Sequence, residues 1–479
     1  MASAPVWLVR YVPVQDLPFH VATIRILASF RDPAYRFGDD FVLTLARTQY
    51  VLYHLAGAAL ARVAGPLTAN AMLMSVYLSG TVLALQSLLR ALERDERLCV
   101  FVVPLLVNVP FMLGLLPFML GVPIMFAATA AAVRYVPAPT LGRGALLAVL
   151  ILALFYSHIV PFLLFGVSYL ALFPRRRPRA WMMAAAPWTP VVPVALWWVL
   201  FTKAGRVSGS VLFDLTGERH KSLLLSVTDF SRVVTGVFAD ASDERVFIAT
   251  LFVALGAVVL SAGAPERAVQ RLRAYALLPA TCLVCYVTLA EGHDYVFFIA
   301  QRFPALCLMA AIPLLSMPSG WKGHVVTTAA GLLALASIVN ACNHFQRFER
   351  EEVGGFDAAI AAMAPNSRVC ALIYDPASRI VRNAPFLHFG SYYQVQRGGV
   401  VMFTYAGYPH WPVDFAAGKY PPPGAPARLR WEWTPQRVSM KDIYPYYDYV
   451  LTRGQGFRPP GGTYREIWHD DHWAVWSRL

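Results

Sequence analysis

Between Arg97 and Arg134 the chain runs 36 residues without a charge, and between Arg143 and Arg175 another 31. A helix that crosses the hydrocarbon core of a bilayer needs about 20 apolar residues. Each run is therefore too long for one crossing and too apolar for a water-facing loop. The rest of the composition agrees: 57% of residues are apolar and 14% charged, with a mean hydropathy of +0.50. Soluble domains carry roughly 45–50% and 25%. An ordinary soluble enzyme, a disordered chain and a coiled coil are excluded, and a polytopic membrane protein is expected.

The uncharged stretches predict spans at about 69–90, 181–202, 246–263, 274–290, 303–317 and 323–341. Dividing the two long runs at Gly114–Pro117 and at Ser157–Pro161, where Pro and Gly break helices, adds four more and gives about ten. Arg90, Arg94 and Arg97, then Arg134 and Arg143, then the Arg175–Arg179 run, then Arg267, Arg271 and Arg273, then Lys322, all fall on one side. Excess Lys and Arg mark the cytoplasmic face. The other face receives residues 1–68, the loops 203–245 and 291–302, and the tail from 343. The loop 203–245 is balanced, with six basic and six acidic residues. A first loop that begins outside the membrane needs a span ahead of it, so a first helix missing from this sequence is expected.

Three parts follow: an extracytoplasmic first loop with interfacial helices (1–68), a transmembrane helical domain (69–342) and a soluble extracytoplasmic α/β domain (343–479). The tail is polar and aromatic. A helix over Gly355–Met363, strands over Val369–Tyr374, Val400–Tyr405 and Tyr449–Arg453, and a closing hairpin, Tyr464–Trp468 with Trp473–Ser477, are expected there. The net charge of +13, from 41 Lys and Arg against 28 Asp and Glu, fits anionic lipid or phosphate and not nucleic acid. Of six cysteines only Cys370 lies in the tail, and Cys282 and Cys285 read as packing residues. The Ala-, Arg- and Pro-rich composition suggests a bacterial inner membrane with a periplasmic tail.

Function in such chains concentrates where polar groups gather at or inside the membrane. Four places qualify. In Gln15–His20, Asp16 can serve as a general base, and His20 lies one helical turn on, on the same face; Asp before Leu-Pro is also a good helix N-cap. Asp39 and Asp40 precede Phe41–Val63, read as an amphipathic interfacial helix, and capping it is their favoured role over metal binding. His158 sits at the expected turn Ser157–Pro161, either as a packing residue or facing the same side as Asp16. Glu291 and Asp294 precede Arg302, whose guanidinium needs an anion: a phosphate, or one of those two acids. His469 and His472 read as exposed hairpin residues and not metal ligands. No Walker loop, dinucleotide fingerprint or nucleophile elbow occurs, so ATP-driven transport and a hydrolase elbow have no support.

The order of features carries a resemblance. An acid in the first extracytoplasmic loop (Asp16) is followed by an interfacial segment with paired aromatics, Gln49–His54. A span then opens at Ala69-Asn70-Ala71 and closes at Leu88–Leu92. Short paired spans, a later loop and a soluble tail complete the layout. Over residues 12–345 this resembles the GT-C superfamily of polyprenyl-phosphate-sugar-dependent membrane glycosyltransferases, which includes the dolichyl-phosphate-mannose protein mannosyltransferases and the aminoarabinose transferases. The chain departs from that pattern in lacking a second acid after the first, in lacking the first helix, and in reading Arg47-Thr-Gln-Tyr50 in place of His-Pro-Pro. The resemblance implies sugar transfer with inversion from a polyprenyl-phosphate donor to a glycan, lipid or protein acceptor, with Asp16 as base. It further implies that Arg302, with His158, lies near the donor phosphate. No cofactor is required on this reading, and a divalent metal is compatible but not indicated. The alternatives are a non-enzymatic membrane protein whose tail binds a glycan or partner, and a carrier of lipid-linked sugars.

Overall fold

The computed structural model describes residues 1–173, 178–211, 223–261, 269–293, 296–419 and 432–479. The chain is mostly helical, with a small sheet region near the C-terminus. It divides into two compact units. One, here the helical unit, holds Met1–Pro5, Leu73–Phe111 and Leu115–Cys342. The other, the mixed unit, holds Val6–Met72, Met112–Gly114 and Asn343–Leu479. The first loop and the tail, expected as separate parts, thus fall into one unit.

Among the described residues three helices are long and apolar enough to cross a membrane: Pro66–Ala91, Leu116–Tyr135 and Gly320–Val353. Pro178–Trp188 and Val191–Phe201, bent by 61°, make a fourth when taken as one broken span. Leu17–Ala28, Leu141–Ser157, Ile159–Ala171 and Ala300–Leu314 are shorter and apolar. A 13-residue helix reaches only about 20 Å against a core of about 30 Å. The two long uncharged runs break near the expected places. One helix ends at Leu113 and the next starts at Leu116, and Ser157 and Ile159 bracket His158. Ahead of Gly114 the chain forms a 3-10 segment, Glu96–Leu105, and a short helix, Val109–Leu113, where one continuous span was expected.

Several hydroxyls of the helical unit return to their own helices. Thr81, Thr129, Ser168, Thr202, Thr250 and Ser261 each donate to the carbonyl four residues back. This satisfies a polar group where no water is at hand. Large apolar side chains point outward: Leu170 is 68% exposed, and Phe201 and Phe252 are 70% exposed. Exposed apolar surface of this kind marks contact with a membrane or with another protein.

In the mixed unit a five-stranded sheet runs in the order Val400–Val401, Arg368–Ile373, Tyr449–Arg453, Trp473–Arg478, Tyr464–His469. The first two pairings are parallel and the last two antiparallel. The closing hairpin turns on Asp470, whose carboxylate accepts from the backbone N–H groups of Gly355, His472 and Trp473. His469 contacts Glu466 at 2.7 Å. The helix Phe356–Ala361 leads into the sheet.

The expected helix over Phe41–Val63 is only half present. Phe41–Leu43 is a strand paired with Val413–Phe415, Leu45–Arg47 is a 3-10 turn, and the helix runs over Leu52–Ala64. Thr48 interrupts the run: its hydroxyl donates to the carbonyl of His410 and accepts from Tyr50 N–H. Phe41 is instead buried against Phe415, Trp411 and Phe37.

Candidate functional site

Asp16 opens the helix Leu17–Ala28, with Pro18 in its first turn. It occupies the N-cap position, yet its side chain makes no capping bond. The helix presents Asp16, Phe19, His20 and Thr23 at intervals of three and four residues, which is one face. All four meet residues of the tail, His20 through the Trp411 ring at 5.1 Å. Tyr405 Oη donates to Asp16 Oδ2 at 2.6 Å, and His388 Nε2 lies 3.3 Å from Asp16 Oδ1. Phe19 packs on the His388 ring with centroids 4.0 Å apart, and Trp411 Nε1 donates to Thr23 Oγ1 at 2.7 Å. Asp16 is 5% exposed and His388 6%. Burial, and after it the Asp16 carboxylate, hold the Tyr405 phenol well above its ordinary value, so it remains a donor.

The backbone fixes this geometry. Gln15 N–H donates to Met112 O at 2.9 Å and Asp16 N–H to Leu113 O at 3.3 Å. Gly114 follows at φ +87°, and a Cβ there would stand 2.8 Å from both Asp16 Cβ and Asp16 N. Only glycine tolerates that conformation together with that approach. From the tail, Asn383 Nδ2 donates to Pro13 O and Met112 O, tying the loop that carries His388 to the same segment.

His20 is committed elsewhere. Its Nδ1 meets His54 Nε2 at 3.0 Å, its Nε2 meets Gly114 O at 2.9 Å, and His54 Nδ1 meets Tyr50 O at 3.1 Å. A neutral pair has two N–H groups for these three contacts. Burial first, then His54, pushes His20 well below the usual histidine range, and burial takes His54 down to about 4. The shared face with Asp16 is present, but the side chains that reach the carboxylate are Tyr405 and His388.

The helical unit has a second polar centre. His158 caps Ile159–Ala171, accepting Val160 N–H on Nδ1 at 3.1 Å. Its Nε2 meets Arg302 Nη1 at 3.3 Å, while Arg302 Nη2 donates to Phe297 O at 3.2 Å. Phe118 lies under both, 5.9 Å from the guanidinium and 5.4 Å from the His158 ring. Arg302 is 7% exposed. The helices pass closely here: a Cβ on Gly121 would stand 2.8 Å from the Pro161 ring. Arg302 and His158, 144 residues apart in sequence, are thus brought together at one point. A groove of about 380 Å³ in the same unit is walled by Phe162, Gly166, Tyr169, Leu170 and Trp188 and is almost wholly apolar.

The remaining candidates separate. Asp39 pairs with Arg36 at 2.8 Å and Asp40 with Lys419 at 3.7 Å, both as surface ion pairs; neither caps the helix Leu52–Ala64. Glu291 accepts Ile299 N–H on its carbonyl. Asp294 lies outside the described residues, as do Arg219, His220, Lys221 and most of the Arg175–Arg179 run. Among the described residues no group of three or more His, Cys, Asp or Glu side chains is arranged to hold a metal ion. No family model matches the chain, and comparison with curated proteins gives no match.

Proposed function

We propose that this chain is an integral, multi-pass membrane glycosyltransferase that moves a sugar from a polyprenyl-phosphate donor to an extracytoplasmic hydroxyl acceptor, with inversion. The observation that carries the reading is the buried Asp16 carboxylate, fixed by Tyr405 and faced by His388. An ionisable acid kept out of water at a helix start, without capping that helix, is more than a local structural device. A base at this centre takes the acceptor's proton as the new bond forms. Arg302 and His158 are assigned to the donor phosphate. The guanidinium suits a phosphodiester that gains charge as it leaves. The apolar groove beside Trp188 suits the isoprenoid tail.

About ten crossings, a bacterial inner membrane and a periplasmic tail belong to the same reading. Shorter apolar helices, such as Leu141–Ser157 and Ile159–Ala171, then act as pairs that jointly fill the bilayer. The positive residues between the expected spans, including Arg90, Arg94, Arg97, Arg134 and Arg143, support the orientation.

The test is sugar transfer by full-length protein in detergent from a panel of polyprenyl-phosphate hexoses and pentoses. Asp16→Asn is expected to lower turnover by at least about 100-fold, the usual contribution of acid–base catalysis, with the thermal midpoint unchanged within a few degrees. Full activity in Asp16→Asn, or no turnover by the wild type from any donor, overturns the proposal.

A further inference from the structure

His388 holds its Nε2 3.3 Å from Asp16 Oδ1, with its ring laid against Phe19 at an interplanar angle of 30°. One tautomer suits that position. A carboxylate oxygen repels a ring-nitrogen lone pair, so a neutral imidazole turns its N–H toward Asp16 and keeps its lone pair on Nδ1. Nδ1 is buried and has no hydrogen-bond partner. A buried acceptor without a donor is unfavourable and seeks one. The carboxylate, by contrast, already has Oδ2 occupied by Tyr405 at 2.6 Å. Its Oδ1 faces Nε2, out of line for a full hydrogen bond. Catalytic hydrogen bonds are commonly long before substrate binds.

We infer that His388 is the proton acceptor of the transfer reaction, with Asp16 as the carboxylate that orients its ring and stabilises the imidazolium. Tyr405 fixes Asp16 in turn. The inference rests on the glycosyl-transfer reading and names the atom at which the proton is taken. In the step, the acceptor O–H gives its proton to His388 Nδ1 and the acceptor oxygen bonds to the anomeric carbon. The anomeric C–O bond to the phosphate breaks, and its electron pair leaves with the phosphate oxygen. The imidazolium so formed faces the Asp16 carboxylate and afterwards passes its proton to water. The logic is that of any His–carboxylate pair, in which the acid sets tautomer and orientation and the far nitrogen does the work.

The alternative is that His388 is a packing partner for Phe19, and His388→Gln separates the two. The glutamine amide nitrogen falls near the position of Nε2 and still donates to Asp16, but nothing replaces Nδ1. In full-length protein with the donor panel, His388→Gln is expected to lower kcat by about 100- to 10,000-fold, with the donor KM within about threefold. A kcat within about threefold of wild type overturns the inference and leaves Asp16 as a direct base. No turnover by the wild type defeats the glycosyl-transfer reading, and the inference with it. A second measurement stands apart from activity and from the folding of any His388 variant. With 15N-labelled histidine, one of the eleven histidines is expected to show an Nε2–H tautomer whose signals move in Asp16→Asn. If no histidine responds to Asp16→Asn, or the responsive one is protonated at Nδ1 alone, the inference fails.

Discussion

Among the described Asp, Glu, His, Lys and Arg residues the helical unit buries two, His158 and Arg302, and the mixed unit buries seven: Asp16, His20, His54, His344, Glu352, His388 and Arg453. The helical unit is the longer of the two. Their surfaces differ in the opposite sense, since the helical unit carries its Leu, Val and Phe side chains outward. A unit that faces lipid can satisfy hydroxyls within its own helices, but an ion there needs a partner on the spot. A unit with a sheet, loops and two distant stretches of chain can supply partners for many. The buried polar groups are arranged accordingly: one arginine against one imidazole in the helical unit, and a set of acid, imidazoles and phenol in the other.

The sharpest way to break that contrast is Arg302→Ala. If the pair with His158 holds the donor phosphate, the donor KM rises by about 100-fold or more, the scale of a lost charge-assisted contact to an anion. Arg302→Lys keeps the charge without the fork and recovers part of the loss. A fall in thermal midpoint with an unchanged KM would make the pair a packing feature. Gly114→Ala comes next: the added Cβ meets Asp16 at 2.8 Å in a left-handed backbone. A loss of about 1–3 kcal/mol in stability is expected, together with reduced transfer, while Gly209→Ala, with open space around it, is a control without either effect. Tyr405→Phe removes one hydrogen bond to a buried carboxylate, a loss of about 1.5–3 kcal/mol and a smaller drop in turnover than Asp16→Asn.

Much of the site's first half was legible and almost none of its second. Asp16 and His20 stand four residues apart beside a proline, and that spacing announces a shared helix face. The breaks at Gly114 and His158 show in Gly and Pro set within uncharged runs. His388 and Tyr405 carry no local mark: they lie in an aromatic-rich tail and reach Asp16 only through packing across some 370 to 390 residues of sequence. The same long-range pairing explains the misread helix. Phe41, Leu45 and Leu52 recur at helical spacing, but Phe41 and Leu43 pair with Phe415 and Val413, and tertiary contact overrides the local pattern. Thr23, at the next turn after His20, offered the missing signal, since a polar residue continuing the Asp16–His20 face points to a partner such as Trp411.

A further expected effect concerns pH. His54 is buried as the neutral form, with its pKa pushed down to about 4, below the unfolded value of about 6.5. Between those values the unfolded chain binds the proton and the folded one does not, so stability rises with pH across that window. The thermal midpoint should fall as pH drops from about 6.5 toward 4, and His54→Gln should flatten the curve. A midpoint insensitive to His54→Gln over that range would mean that the imidazole pair does not hold the helix Leu17–Ala28 to Leu52–Ala64.

The mixed unit is assembled from residues 6–72 and 343–479, with residues 112–114 between them. That order has a consequence for synthesis. Asp16 leaves the ribosome 389 residues before Tyr405 does, a separation that corresponds to about 20 to 80 s at 5–20 residues per second. During that interval the carboxylate lacks the phenol and the imidazole that enclose it. A chain stopped before Tyr405 therefore carries the acid but not its surroundings, so the enclosed carboxylate forms only after synthesis has passed that residue.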